Sequence, residues 1–327
     1  MRFLRNTKPL INWILYREID YNRYVVEEDL LILEREFIKQ VEPTYMIAGF
    51  SQWANAGNVS SGIPEYLIDK LSARRVGHIC KNDFYIFQLP GNHFMFRPPV
   101  KYVEGYEEDY KEEPINDFHY AEIDGKGLII FIGTEPNLHE DLYVKTILDA
   151  AVELEVKRII VPAGVGGEVP YNKERHISST YSLKKMQEEL KGYALAYSNY
   201  DKNATIGMVM NHYCKVRGIE FIRMTALTPT YQIPITITTD KKAMYDILRR
   251  IKYMFGITID LSDLERGYKQ QNLDIESALK KLYITNPEMV SQIENYMEQI
   301  RESFEELRFE EPTKIPDVFL KEFGDSI

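Results

Sequence analysis

The amino-acid sequence predicts an α/β protein: a three-layer α/β/α domain on a mostly parallel or mixed sheet, followed by an all-helical carboxyl-terminal appendage. Three observations carry that expectation. Between residues 44 and 258 apolar runs alternate with amphipathic segments across short connections, the pattern of strands joined by right-handed crossovers. Arg158–Pro162 shows no polar alternation around Ile159–Val161, as in a parallel strand covered on both faces. Beyond residue 259 strand patterns stop, and apolar residues recur every three or four positions.

Residues 1–40 read as an extension, with a strand or short helix around Leu30–Ile38 that packs on the body. Tyr45–Ala48 is the first strand of the domain. A turn through Gly49–Gly57 follows, then a helix carrying Val59, Ile63, Leu67 and Leu71 on one face. Phe84–Gln88 and Phe94–Val100 read as a meander, with Pro98-Pro99 keeping its second strand from a sheet centre. The acidic run Tyr102–Asn116 reads as a solvated loop. Phe118–Ile123 and Leu128–Ile132 are strands joined at Asp124-Gly125, a hairpin signal. The helix expected from Leu138 to Glu155 buries Val144, Ile147, Leu148 and Ala151. Asn137 is its N-cap and Glu140 the capping-box partner.

After Arg158–Pro162 come a glycine-rich turn, Ala163–Gly167, and a helix near Ser182–Lys191. A strand near Thr205–Met210, a helix to about Arg217 and a strand Glu220–Thr225 complete the domain. Asp240 caps a helix with Ala243, Met244, Ile247, Ile251, Met254 and Phe255 on one side, stopped by Gly256. Ser262 and Glu265 form a further capping box, and Asn286-Pro287 starts the last helix. Val290, Ile293, Met297, Ile300, Phe304 and Leu307 form its seam, suited to a helix pair within the chain or to a contact between subunits. The expected organisation is an extension 1–40, an α/β domain 41–258, a helical appendage 259–310 and a tail 311–327.

Composition narrows the function. A formal charge of −10 argues against nucleic acid, since neutralising phosphates takes clustered Lys and Arg. Cys80 and Cys214 stand far apart and outside any metal-ligand spacing, so reduced thiols of a cytoplasmic protein are expected. Arg2, Arg5 and Lys8 precede Leu10–Tyr16 somewhat as in a signal peptide, but the run is short, holds Asn12 and lacks a cleavage site. It reads as an ordinary extension. Nor does any segment approach the roughly 20 apolar residues that span a bilayer. No cofactor, no metal and no membrane are expected.

Several motifs then converge. AGFSQWANAGNVSSGIPEYLIDKL (48–71), GTEPN (133–137), VPAG (161–164) and GIEFIRMTALTPTY (218–231) resemble, in this order, the proteasome assembly chaperone 2 (PAC2) family, above all its prokaryotic branch with a carboxyl-terminal helical region. The likeness covers about residues 44–305. It implies a three-layer fold like that of nucleoside phosphorylases and peptidyl-tRNA hydrolases, and a homo-oligomer, with trimers among the prokaryotic relatives. It also implies partners of protein nature, since the eukaryotic namesakes help assemble proteasome rings. Archaeal relatives that dock on proteasomes end in a hydrophobic–tyrosine–any tripeptide. This chain ends Asp325-Ser326-Ile327, so docking by that route is not expected.

The candidate ligand site lies where open α/β sheets place theirs, at the carboxyl ends of neighbouring strands. Loops Gly49–Asn58, Gly133–Asn137 and Ala163–Gly167 bring Trp53, Asn55, Asn58, Glu135, Asn137, Gly164 and Gly166 there. A small polar or anionic ligand would suit them. Each also has a structural use: Asn55 and Asn137 as caps, glycines as turn residues, Trp53 as filler. Glu135 is the best candidate for a base, through burial beside a strand end. No catalytic set is recognisable: the histidines do not cluster, no Gly-x-Ser-x-Gly elbow occurs, and the three loops supply no Arg. Two functions remain. The first is a homo-oligomeric protein-binding or assembly-chaperone-like protein. The alternative is a phosphorylase/hydrolase-like enzyme for a small polar or nucleoside-like ligand.

Overall fold

The alternating runs assemble into one nine-stranded mixed sheet in this computed structural model, which describes residues 30–51, 53–81, 83–87, 99–110, 114–230 and 238–312. The compact unit Leu31–Ile327 carries every element. In chain order these begin with β1 (Leu31–Leu33), β2 (Thr44–Ser51), α1 (Val59–Leu71), β3 (Arg74–Ile79), β4 (Val100–Val103) and β5 (Tyr106–Tyr110). Next come β6 (Asn116–Ile123), β7 (Lys126–Thr134), α2 (Glu140–Glu153), β8 (Val156–Gly167), β9 (Ile177–Tyr181) and a single turn, α3 (Gln187–Leu190). The chain continues with β10 (Ala196–Tyr197), α4 (Ile206–Arg217), β11 (Glu220–Pro229), α5 (Lys241–Phe255), α6 (Ser262–Thr285) and α7 (Pro287–Ser303).

The sheet runs β1-β3-β6-β7-β2-β8-β11-β9-β10, and its four central strands β7, β2, β8 and β11 are mutually parallel. Antiparallel β6 reaches β7 through Asp124 and Gly125, both at positive φ as a two-residue hairpin demands. One face of the sheet packs α1 and α5. Val59, Ile63 and Leu67 meet Tyr45, Ile47, Ile130 and Ile160, and Ala243, Ile247 and Ile251 extend the same core. Each such fully buried Val, Ile or Leu side chain contributes about 1.5–3 kcal/mol. The rings of Tyr45 and Phe255 stack at 4.1 Å. On the other face lie α2 and α4, which also contact each other. This gives the expected three layers.

Close approach sets one sequence requirement. A Cβ on Gly49 would stand 1.9 Å from the Ser60 carbonyl, because the first turn of α1 rests on the end of β2. Ser60 Oγ also accepts the N–H of Phe50 (3.0 Å), which ties the two elements together.

Several expectations are corrected. Thr205–Met210 is no strand but the cap and first turns of α4. Its buried residues Ile206, Met210 and Cys214 recur every fourth position, a helical period that the β-branched Thr and Ile disguise. A strand that was not expected is β9, the Ser/Thr-rich run Ile177–Tyr181. It pairs antiparallel with β11. Within Tyr102–Asn116 lies not a loop but most of the hairpin β4–β5, turning at Glu104-Gly105. Asn137 does not cap α2: His139 holds the cap position in the left-handed conformation, and the Asn137 N–H goes to the Phe84 carbonyl. Ser262 is not a cap either, since its N–H donates to Asp260 Oδ1 (3.0 Å) and it begins α6 itself. Phe84–Phe87 is irregular, and Phe94–Val100 lies up to residue 98 outside the described residues.

The cap at Asp240 forms as expected, accepting from Ala243 N–H, and the helix expected to start at Asn286-Pro287 does so with Asn286 accepting from Met289 N–H. Asp240 does more. Buried Arg175 donates Nε and Nη2 to its two oxygens at 2.8 and 3.2 Å, while Arg175 Nη1 serves the carbonyls of Pro170, Tyr171 and Lys173. Helices α6 and α7 form an antiparallel pair after α5. Ile275, Ile293 and Met297 pack with Tyr171, and Val290 and Ile300 are also buried, so four of the six seam residues are covered within the chain. Phe304 and Leu307 lie beyond the end of α7 and are half-buried.

Candidate functional site

The loop after β2 is held by its own side chains. Asn55 Oδ1 accepts the N–H groups of Ser60 (2.8 Å) and Ser61 (3.1 Å), the first turn of α1. Its Nδ2 donates to Ser61 Oγ and to Asn58 Oδ1, and Ser61 Oγ also donates to Asn58 Oδ1 at 2.7 Å. Asn55, Asn58 and Ser61 thus close on one another as a cap.

The segment Ala163–Gly167 is not a loop, because β8 continues to Gly167 and pairs there with Thr225–Pro229 of β11. The Gly164 N–H donates to the Ala54 carbonyl (2.8 Å), and Asn55 and Gly164 form a bridge. A Cβ on Gly164 would lie 2.0 Å from the Ala56 carbonyl. The amide expected to meet a ligand therefore anchors the β2–α1 loop. Exposed Gly166 stands two residues further along β8 and faces Thr230. Exposed Asn137 is tied to Phe84, away from this loop.

Glu135 and Trp53 do come together. Glu135 Oε2 accepts the Trp53 N–H (3.2 Å), and the same carboxylate accepts the N–H of Ile206 at the amino end of α4. Burial raises its pKa above the usual carboxylate range, against the opposing effect of these two N–H donors. The Trp53 side chain points outward, 56% exposed. Beside Glu135, Tyr143 Oη donates to Asn116 Oδ1 (2.7 Å), and Tyr85 Oη lies 2.7 Å from the same oxygen and 2.5 Å from the Thr134 carbonyl. Burial pushes the Tyr85 phenol to about 12 and the Tyr143 phenol well above its ordinary value. These phenols act as hydrogen-bonding groups, not as bases.

The residue that sequence reasoning missed is Arg223, in mid-β11. It feels the charge of Glu135 and the phenol of Tyr200, and burial lowers its pKa. Its signal in the sequence is a lone Arg inside the apolar run Phe221–Leu227. Elsewhere, a groove of about 560 Å³ between α6 and α7 is lined by Tyr171, Glu276, Lys280, Glu294 and Arg301, a mixture of charges. Among the described residues no group of His, Cys, Asp and Glu could hold a metal ion, and no helix is long and apolar enough to cross a membrane.

Comparison with known proteins adds the following. The model of the PAC2 family matches residues 49–283. Among solved structures, a PAC2 family protein from Streptomyces avermitilis is similar at 20% identity and a TM-score of 0.63, covering 72% of this chain and 95% of that one. A proteasome-assembly chaperone homologue from Mycobacterium tuberculosis is 19% identical with a TM-score of 0.62, over 71% and 94% of the two chains. An archaeal proteasome activator from Pyrococcus furiosus is 18% identical with a TM-score of 0.55, over 76% and 97%. At these identities the likeness is one of fold. A comparison with curated proteins found no match.

Proposed function

The chain belongs to the PAC2 family, and on that premise we propose that it is a homo-oligomeric protein-binding protein with an assembly-chaperone-like role. The observation that carries this reading is the hairpin β4–β5, in which every residue is exposed. Tyr102, Tyr106 and Tyr110 stand 60%, 78% and 53% exposed, with Val100 and Val103 beside them. A two-stranded hairpin is marginally stable alone in water, and tyrosines are enriched where proteins meet. The arm is also acidic: Glu104, Glu107, Glu108 and Asp109 against Lys101. Its occupant is a partner protein presenting a basic, partly apolar groove. The names of the similar structures, an assembly-chaperone homologue and a proteasome activator, fit such a role.

A photo-crosslinker at Tyr106 tests this in the native cell. Crosslinks to a subunit of a larger complex, lost when Tyr102 and Tyr110 are changed to Ser, are the expected result. Crosslinks only to the chain itself, or an unchanged pattern in the Ser variants, would sink the reading. Sedimentation velocity tests the oligomer, and a species of 38.3 kDa at all concentrations would exclude it. The alternative, a small polar ligand at the strand ends, is favoured by one observation, the half-buried carboxylate of Glu135.

A further inference from the structure

Arg223 is only 5% exposed, yet among the described residues its guanidinium makes no hydrogen bond and no ion pair. A buried cation that the Glu135 carboxylate compensates only from a distance is unfavourable, so folds rarely keep one without a use. Several polar neighbours are buried and unsatisfied. Thr180 on β9 lies opposite Arg223 in the sheet, and its Oγ1 has no partner. The same holds for Oγ1 of Thr205, the residue that precedes α4, and for Oδ1 of Asn211, one turn beyond Gly207. Thr205 is itself buried, at 8% exposed.

The guanidinium lies at the first turn of α4. A Cβ on Gly207 would stand 3.1 Å from Arg223 Cδ and 3.2 Å from Nε, so the helix and this side chain are packed tightly against each other. Helix α4 runs for 12 residues and directs the positive end of its dipole at this place. A planar guanidinium, a free hydroxyl and a helix amino end together suit an oxyanion.

We infer that this cluster binds a small ligand through a carboxylate or phosphate group, paired with Arg223, hydrogen-bonded by Thr205 Oγ1 and placed at the amino end of α4. Glu135 borders the site and opposes the incoming charge, which limits affinity. The inference rests on the small-ligand reading of the strand ends and is independent of the hairpin's role in docking.

The test is calorimetric titration of the full chain with inorganic phosphate and, separately, acetate, each against sodium chloride of matched ionic strength. Saturable binding is expected for at least one of the two, and the stronger arm identifies the ligand group. Arg223→Gln should weaken it at least tenfold and Thr205→Val several-fold. Glu135→Gln should tighten it several-fold, since the amide oxygen still accepts from Ile206 while the like charge is gone. Equal binding in the parent and Arg223→Gln, or heats no larger than with chloride for both anions, overturns the inference. If Arg223→Gln does not fold, unchanged affinity in both Thr205→Val and Glu135→Gln overturns it as well. Hairpin crosslinks would be untouched by any of these results.

Discussion

Replacing Asp240 by Ala tests how the chain holds α5 and the Pro170–Arg175 turn together. Two interactions end at this carboxylate. Its Oδ1 caps α5 through Ala243 N–H at 2.9 Å, and loss of such a cap costs about 1 kcal/mol. Both oxygens also take the fork of Arg175, whose side chain is 3% exposed. Removing one partner of a buried pair leaves the other charge uncompensated, at about 3–5 kcal/mol. The two effects share one carboxylate and do not simply add, so about 4 kcal/mol is expected. At roughly 2 °C per kcal/mol, as in large chains, Tm should fall by about 8 °C. Urea unfolding followed by circular dichroism gives the free energy, and a thermal scan gives Tm. Asp240→Asn keeps the cap and should cost about 1 kcal/mol less than Asp240→Ala. An Asp240→Ala loss of only about 1 kcal/mol would refute the reasoning, because the cap alone would then account for it.

Three other outcomes are expected. Gly164→Ala places a methyl 2.0 Å from the Ala56 carbonyl and should destabilise by about 1–3 kcal/mol or more, read from the urea midpoint. Ile293→Ala and Met297→Ala should each cost about 2–5 kcal/mol while leaving the sedimentation coefficient unchanged, because both side chains pack inside the chain; a change of mass would make the seam a subunit contact after all. Glu135 has a folded-state pKa above its unfolded value, so folding favours its protonated form. Its presence is therefore harmless below the ordinary carboxylate range and increasingly unfavourable as pH rises through that range toward the raised value. Tm of Glu135→Gln minus that of the parent should grow from about pH 4 to pH 7, and a flat or falling difference contradicts the burial argument.

How much was legible depended on whether one signal acted alone. Where apolar periodicity and punctuation agreed, as in Tyr45–Leu71, Asp124-Gly125 and the Asp240–Gly256 helix, elements fell where they were expected. Local signals failed where tertiary contacts overrode them. Asn137 precedes a plausible helix start, yet the Phe84 carbonyl takes its N–H and the chain enters α2 through a left-handed His139. The glycines at 163–167 suggest a turn, but the approach of the β2–α1 loop is what requires Gly164. Of the candidate site, the Glu135–Trp53 contact and the capping by Asn55 were foreseeable. Arg223 lies within β11, outside the loops where an open sheet usually places its ligand. Its position in mid-strand, amid Phe221, Ile222 and Met224, is where a charge is least expected and so most informative.

The sheet's outermost strands have a consequence for self-association. At one edge β1 contributes three residues, and at the other β10 contributes two. Among the described residues, so short a rim offers few unpaired N–H and C=O groups to a neighbouring molecule, which is how natural sheets resist adding foreign strands. Copies of this protein are therefore poorly equipped to zip their sheets into a continuous ribbon. An assembly built on this sheet is read through side chains, whose chemistry can tell the right neighbour from the wrong one.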